Sequence, residues 1–231
     1  EYPVETMVTV FNGTKNLLDY ARTNRTQSVL LASSLEVYGT ITDDSTPLTE
    51  EAQGYLDPMA VRSSYPMAKR AAETLCHDYA KEYGTHAKVA RLAQTFGAGV
   101  AQDDTRVFAQ FARSIIKGED IVMHTKGELC RSYCYTTDAI AAMLYILLRG
   151  KDGEAYNVAN ETTYISIKDM ATFLAETFNP RVKVVVELKE NMGYSPTTKL
   201  RLSTDKVRQL GWTPQYDLQE MFHRLIESLK Q

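Results

Sequence analysis

The sequence predicts an α/β fold with a mostly parallel sheet and a smaller subdomain appended towards its C-terminal end. Three observations carry that prediction. Short apolar runs with turn-forming flanks alternate with segments of helical spacing, the pattern of strand–helix layering. Tyr65 to Tyr83 forms an amphipathic stripe that Gly84 stops. The last third breaks into short strands and helices punctuated by Pro and Gly.

The elements follow in order. Met7 to Thr23 reads as a helix on the spacing of Met7, Val10, Phe11, Leu17, Leu18 and Ala21, and Ser28 to Ala32 as a short buried strand. Residues 39 to 62 are rich in Thr, Asp, Gly and Pro and read as a long loop of the kind that often carries function. After the 65–83 helix, Ala87 to Phe96 reads as one strand, and Thr105 is placed to cap a helix running to Lys117. Strands are expected at Ile121 to His124, Ser132 to Thr136, Glu154 to Val158 and Val182 to Glu187. Helices are expected at Thr137 to Leu148, from a Ser166 cap to Phe178, and at Leu218 to Leu229.

With 231 residues, 44% of them hydrophobic and 24% charged, the chain has material for a sizeable core. A net charge of −3 gives no general basic character, so nucleic acid is not expected as a partner and an anionic ligand must be held by a few local Arg or Lys. The three cysteines, Cys76, Cys130 and Cys134, are odd in number and lack zinc-site spacing; they read as reduced packing residues in a cytoplasmic protein. The Asn-x-Thr sequons at Asn12, Asn24 and Asn160 read as chance. Apolar runs fall short of a membrane span, no signal peptide is visible, and His77, His86, His124 and His223 show no ligand-type spacing, so neither membrane nor metal is expected. The chain begins Glu1-Tyr2-Pro3 without Met, and reads as a fragment or a processed product.

Tyr65-Pro66-Met67-Ala68-Lys69 puts a phenol and an ammonium four residues apart on one helical face. Pro66 is tolerated there because it lies in the first turn. A nearby cation favours the phenolate, so Lys69 is expected to lower the Tyr65 pKa and make it a general base towards a sugar hydroxyl. Among 14 tyrosines this spacing also arises by chance, and Tyr164 with Lys168 repeats it; there the Ser166 cap falls between the two, which breaks the shared face. Context separates the pairs. Upstream of Tyr65 stands Leu30-Leu-Ala-Ser33-Ser34-Leu35-Glu36-Val37-Tyr38-Gly39, a strand end followed by a hydroxyl, a carboxylate and a turn, where open α/β sheets place ligands.

The order Ser-Ser-x-x-Val-Tyr-Gly, then Tyr-x-x-x-Lys, then Arg91-Leu-Ala-Gln94-Thr-Phe-Gly97 resembles the extended short-chain dehydrogenase/reductase family of nucleotide-sugar epimerases, dehydratases and decarboxylases. The likeness runs on through Asp104-Thr-Arg106, Arg131-Ser-Tyr-Cys-Tyr135 with Asp138, Tyr156-Asn-Val-Ala-Asn160 and Leu210-Gly-Trp212, and so covers nearly the whole chain. It implies a truncated Rossmann-like, doubly wound parallel sheet with a smaller C-terminal α+β substrate subdomain. Residues 1–98 would be the remainder of the dinucleotide-binding domain, revisited at 132–160, and residues 99–231 mainly the nucleotide-sugar subdomain.

The resemblance also implies roles. Ser34 would hold the sugar O4, Tyr65 would take its proton while hydride leaves C4 for NAD, and Lys69 would bind the nicotinamide ribose. Arg106 and Arg131 match positions near the sugar-nucleotide diphosphate, and Gln94 stands where the family usually has a substrate-contacting Asn. Glu36 is the informative residue for reaction type: dehydratases carry an acid where this chain has Leu35, so decarboxylation or epimerisation fits better, and the motifs lie nearest to UDP-glucuronate decarboxylase-like members. The other departures are Val10 for a helix Asn, and His124 and Thr125 for an aromatic-Gly pair near the nucleotide base.

The partner expected is a nucleotide-diphosphate sugar, in a homodimer formed through helices 7–23 and 65–83. The family's Gly-x-x-Gly-x-x-Gly phosphate loop is not among these residues; Gly97-Ala-Gly99 leads into Gln102-Asp-Asp104 and reads as a loop. The chain alone is therefore expected to bind NAD poorly and to be inactive by itself. A noncatalytic nucleotide-sugar-binding scaffold and a keto-sugar reductase are the competing expectations.

Overall fold

The computed structural model describes residues 2–189 and 197–230. Its first layer is a parallel sheet in the order β1 (Val29–Ser34), β2 (Ala87–Leu92), β6 (Ala155–Val158). Successive β2 side chains serve opposite faces. Ala87 and Val89 pack with Leu18 of α1 (Pro3–Thr23) and with Leu75, Cys76 and Tyr79 of α2 (Ser64–Tyr83). Ala90 and Leu92 pack with Ala139, Ala142 and Ile146 of α4 (Thr136–Arg149). Helices on both faces of a parallel sheet make the layer Rossmann-like.

The second layer begins where the expected 87–96 strand breaks. Ala93 donates its N–H to the Val158 carbonyl, and the chain then leaves the first sheet as β3 (Gln94–Phe96), which pairs in parallel with β5 (Cys130–Tyr135). β5 also pairs antiparallel with β7 (Asn160–Ser166) and parallel with β9 (Lys199–Leu200). A separate parallel pair joins β4 (Ile121–Met123) to β8 (Val184–Val186). Around these strands α3 (Val107–Lys117), α5 (Ile167–Phe178) and α7 (Leu218–Leu229) build a core in which the Phe96 ring stacks on Phe108 at 4.5 Å and meets Phe222 at 4.9 Å. Trp212, beyond the short α6 (Asp205–Arg208), donates to the Asp138 carbonyl at 3.0 Å and ties the C-terminal turn to the start of α4.

Local signals account for most boundaries. Gly84 ends α2 in the left-handed conformation, and the Ser166 hydroxyl accepts the Asp169 N–H to start α5. Tyr164 therefore lies on β7 and Lys168 on α5, and the second Tyr–Lys spacing forms no helical pair. Two further expectations are corrected, and one strand is added. Helix α1 starts at Pro3 rather than Met7, with the proline in its first turn. Thr105 is not a cap: Arg106 takes that position with no side-chain capping bond, while the Asp104 carboxylate accepts the Arg106 N–H. β7 was not expected from its polar Asn-Glu-Thr-Thr start.

The 39–62 loop is pinned by backbone bonds from Thr40 to Tyr55 and from Gly54 to Tyr38, each 2.8 Å long. Gly39 sits at φ +70°, and a Cβ there would stand 2.5 Å from the Tyr55 carbonyl oxygen. Gly39→Ala is expected to destabilise by more than about 1 kcal/mol. Gly13→Ala, on an open face of α1, should instead stabilise by about 0.5–1 kcal/mol. Denaturant midpoints of the two variants check the pair, and equal midpoints would contradict it.

Candidate active site

The candidate site forms where β1 and β2 diverge. Ser34 ends β1 in extended conformation and caps a 3-10 turn over Leu35–Tyr38, its hydroxyl oxygen accepting the Glu36 N–H at 3.2 Å. Leu35, Val37 and Tyr38 point into a core cluster with Ala93, Leu200 and Leu202, which anchors the turn and leaves Glu36 half-buried. Tyr65 opens α2 directly opposite, and the buried Ala68, Ala72 and Cys76 let the helix lie close against the sheet.

Ser34, Glu36 and Tyr65 act on one another. Burial pushes the Tyr65 phenol above the ordinary tyrosine range, a hydrogen bond with Ser34 pulls it back, and the Glu36 charge adds to the rise. Lys69 lies one turn on, its ammonium 5.7 Å from the Tyr65 ring centroid and donating to the Ala32 carbonyl at 2.8 Å. The expectation that Lys69 lowers the Tyr65 pKa is thus corrected: the half-buried ammonium is engaged with backbone, and desolvation decides the phenol's direction. The same desolvation pushes the Lys69 pKa down.

Gln94, Arg106 and Arg131 line a cleft of about 750 Å³ that Glu36 shares and that Ser34, Tyr65 and Lys69 do not. Arg106 is exposed, and its guanidinium folds back on Asp104, with Nη2 2.6 Å from Oδ2, and over the Phe108 ring. Arg131 is more enclosed. It donates to the carbonyls of Cys130 and Thr198 at 3.0 and 3.2 Å, burial pushes its pKa down, and Glu36 opposes that shift. A second cleft, about 270 Å³, lies between the start of α2 and the 39–62 loop. Glu36 and Arg131 line both clefts, so they mark the junction. Tyr65 and Lys69 line neither, whereas Pro66 lines the smaller. His124 and Thr125 stand on the larger cleft. Tyr55, Leu56 and Thr198 wall the smaller one, and no motif marks them because the cleft assembles from segments far apart in sequence.

The parallel α/β layer thus brings Ser34, Tyr65 and Lys69 together at the end of β1, with clefts beyond the Glu36 turn. Residues 1–159 match the NAD dependent epimerase/dehydratase family, and the chain belongs to that family. Among its relatives, UDP-glucuronic acid decarboxylase 5 of Arabidopsis thaliana is 32% identical over 218 residues, covering 94% of this chain and 62% of the relative. UDP-glucuronic acid decarboxylase 1 of Xenopus tropicalis is 30% identical over 224 residues, covering 97% of this chain and 52% of the relative. The chain thus spans between half and two thirds of the length of these relatives. A Thermotoga maritima UDP-glucose 4-epimerase with UDP-glucose superposes with a TM-score of 0.83 at 22% identity, over 99% of this chain and 71% of that one. A Bacillus anthracis dTDP-glucose 4,6-dehydratase in complex with NAD gives 0.81 at 17%, over 98% and 69%. At these identities the two structures show the fold alone.

The ligand-free Tyr65 phenol is expected to titrate above about 10, as the component of a spectrophotometric pH titration that Tyr65→Phe removes. Ser34→Ala should move it higher still, because the Ser34 bond is the contribution that favours the phenolate. A component at or below the ordinary value would contradict the geometry.

Proposed function

We propose that this protein is an NAD-dependent enzyme that oxidises a UDP-linked uronic acid at C4 and then decarboxylates it. The observation that carries the reading is the enclosed Arg131 facing Glu36 at the junction of the two clefts, beside the Ser34–Tyr65 group at the end of β1. A guanidinium there suits a sugar carboxylate better than a neutral hexose, so Arg131 serves the carboxylate in place of the diphosphate that the resemblance implied. The decarboxylase relatives support the same choice. Leu35 is 2% exposed and faces the core, so the turn offers no second acid for eliminating water.

The residues present fit the ribose end of the cofactor. Among the described residues Lys69 spends one N–H on Ala32, leaving two donors for ribose hydroxyls. When bound, NAD supplies the acceptor and later the donor of the C4 hydride. Ser34 holds O4, and Tyr65 accepts the O4 proton once added positive charge offsets its raised pKa. The resulting 4-ketone lies β to the carboxylate. The C5–C6 bond breaks, its electron pair moves into the C4–C5 enolate, and carbon dioxide leaves. Ser34 and Tyr65 then donate to the charge on O4. A proton from water at C5 and the return of the hydride to C4 complete the cycle, with Tyr65 returning its proton to O4.

Full-length protein incubated with NAD and UDP-glucuronate is expected to release a product lighter by one carbon dioxide. An unchanged mass would indicate epimerisation and a loss of water dehydration, and either overturns the reading. Tyr65→Phe should lower kcat by about 10²–10⁴-fold. Arg131→Met should lower kcat/KM for the uronic acid by roughly 10–100-fold and leave affinity for a neutral UDP-hexose unchanged.

We also propose a homodimer through α1 and α2. Val4, Val8 and Phe11 are exposed on one face of α1 at helical spacing, an apolar stripe of the sort that helix pairs cover. Sedimentation should give a dimer that Val8→Asp with Phe11→Asp converts to monomer.

A further inference from the structure

One turn of α2 clips the end of β1 and its following turn. Lys69 donates to the Ala32 carbonyl at 2.8 Å, Glu73 accepts the Ser33 hydroxyl at 2.5 Å, and Arg70 Nε donates to the Val37 carbonyl at 2.7 Å. Ser34 and Glu36 lie inside the span held by these three bonds. The Glu73 side chain is 10% exposed, and it also takes Arg91, with Nη2 at 2.7 Å and Nε at 3.1 and 3.2 Å. Arg91 stands opposite Ser33 in the β1–β2 register and continues to the Tyr38 hydroxyl at 3.1 Å and the Glu50 carbonyl at 2.6 Å.

Packing alone does not call for this arrangement. A buried carboxylate–guanidinium pair loses much of its attraction to desolvation, and well-packed apolar residues often hold a fold as well. Any acceptor could hold the Ser33 hydroxyl. What the carboxylate adds is a negative charge one turn from Lys69, on the same helical face.

We propose that Glu73 is a positioning residue, which acts through Ser33 on the placement of Ser34 and through its charge on Lys69, and so aligns the Tyr65 site. The proposal rests on the reading of Tyr65 and Lys69 as the reactive pair. Burial works against the Lys69 ammonium, and Glu73 is the charged group that opposes it. From β1 the ammonium meets the uncharged Ala32 carbonyl, and from its own helix the Tyr65 ring. The Glu36 charge acts on Tyr65 and Arg131, while Arg70 and Arg91 surround the far bonds of the clip.

The test uses full-length protein carrying Glu73→Gln, which keeps an acceptor for Ser33 and removes the charge. Competitive acetylation across pH, read on the Lys69 peptide by mass spectrometry, follows the ammonium without cofactor or substrate. The expected result is a Lys69 titration moved to lower pH. In turnover, kcat should fall on the order of 10–100-fold with little change in KM. Its alkaline limb should move to lower pH, because a form that needs the ammonium is lost as pH rises through a lowered pKa. The double variant Glu73→Met with Arg91→Met removes both buried charges and carries the same expectations should the single variant unfold.

An unmoved Lys69 titration, or an unchanged kcat in a folded variant, overturns the proposal. So does failure of both variants to fold, since Glu73 would then be a folding residue. Wild-type protein that turns over no nucleotide-linked uronic acid sinks the functional reading separately, and the Lys69 titration still decides the role of Glu73.

Discussion

The structure depends on the parallel pairing of β1 with β2, which runs in unbroken register from Val29–Ala87 to Ser34–Leu92 and then stops. Beyond that point the two strands part. One turns into the 3-10 segment at Leu35, and the other passes through Ala93 into the second sheet. Parallel sheets open a crevice where neighbouring strands diverge at their carboxyl ends. Here the divergence carries Glu36, just past Ser34, and Gln94 onto the wall of the larger cleft. Chain connectivity creates the site, and side-chain chemistry then occupies it.

Helix α2 reaches that crevice because its inner face is small. Ala68, Ala72 and Cys76 recur every fourth residue and are fully buried, so the helix lies close enough for Lys69, Arg70 and Glu73 to bond the strand end. A larger side chain at Ala68 or Ala72 would lift the first turn of α2 and carry Tyr65 away from Ser34. Close packing and the two pKa shifts are linked here, since the contacts that seat the helix also partly desolvate the phenol and the ammonium.

What could be read from the sequence follows the range of each signal. Local chemistry was legible: the Gly84 stop, the Ser166 cap and the Leu218–Leu229 helix are all written in a few adjacent residues. The break at Ala93 was not, because no Gly, Pro, Asn or Asp falls between Ala87 and Phe96 to mark a turn. β7 was missed because its polar start is satisfied by distant partners: Asn160 donates to the Tyr216 carbonyl, and the Thr163 hydroxyl to the Tyr133 carbonyl. The ordered motifs brought Ser34, Glu36, Tyr65 and Lys69 into one group, but not the meeting of Glu36 with Arg131 across ninety-odd residues. The direction of the Tyr65 shift was misread for a related reason. Spacing on a helix brings a cation near, whereas desolvation depends on what the rest of the chain packs around the pair.

That misreading clarifies how the site works. In the ligand-free protein the same half-burial raises the phenol and lowers the ammonium, so both groups are biased towards their uncharged forms. Glu36 strengthens the bias on Tyr65, and Arg131, itself desolvated, gains from Glu36. On the proposed function, the raised phenol pKa keeps Tyr65 from acting as a base until ligands are bound. On that reading a positive charge brought to the end of β1 would offset the shift, and a carboxylate ligand at Arg131 would change the balance around Glu36. The proposed proton chemistry is therefore conditional on occupancy: partly desolvated charges gain most from the ligands whose charges complete them.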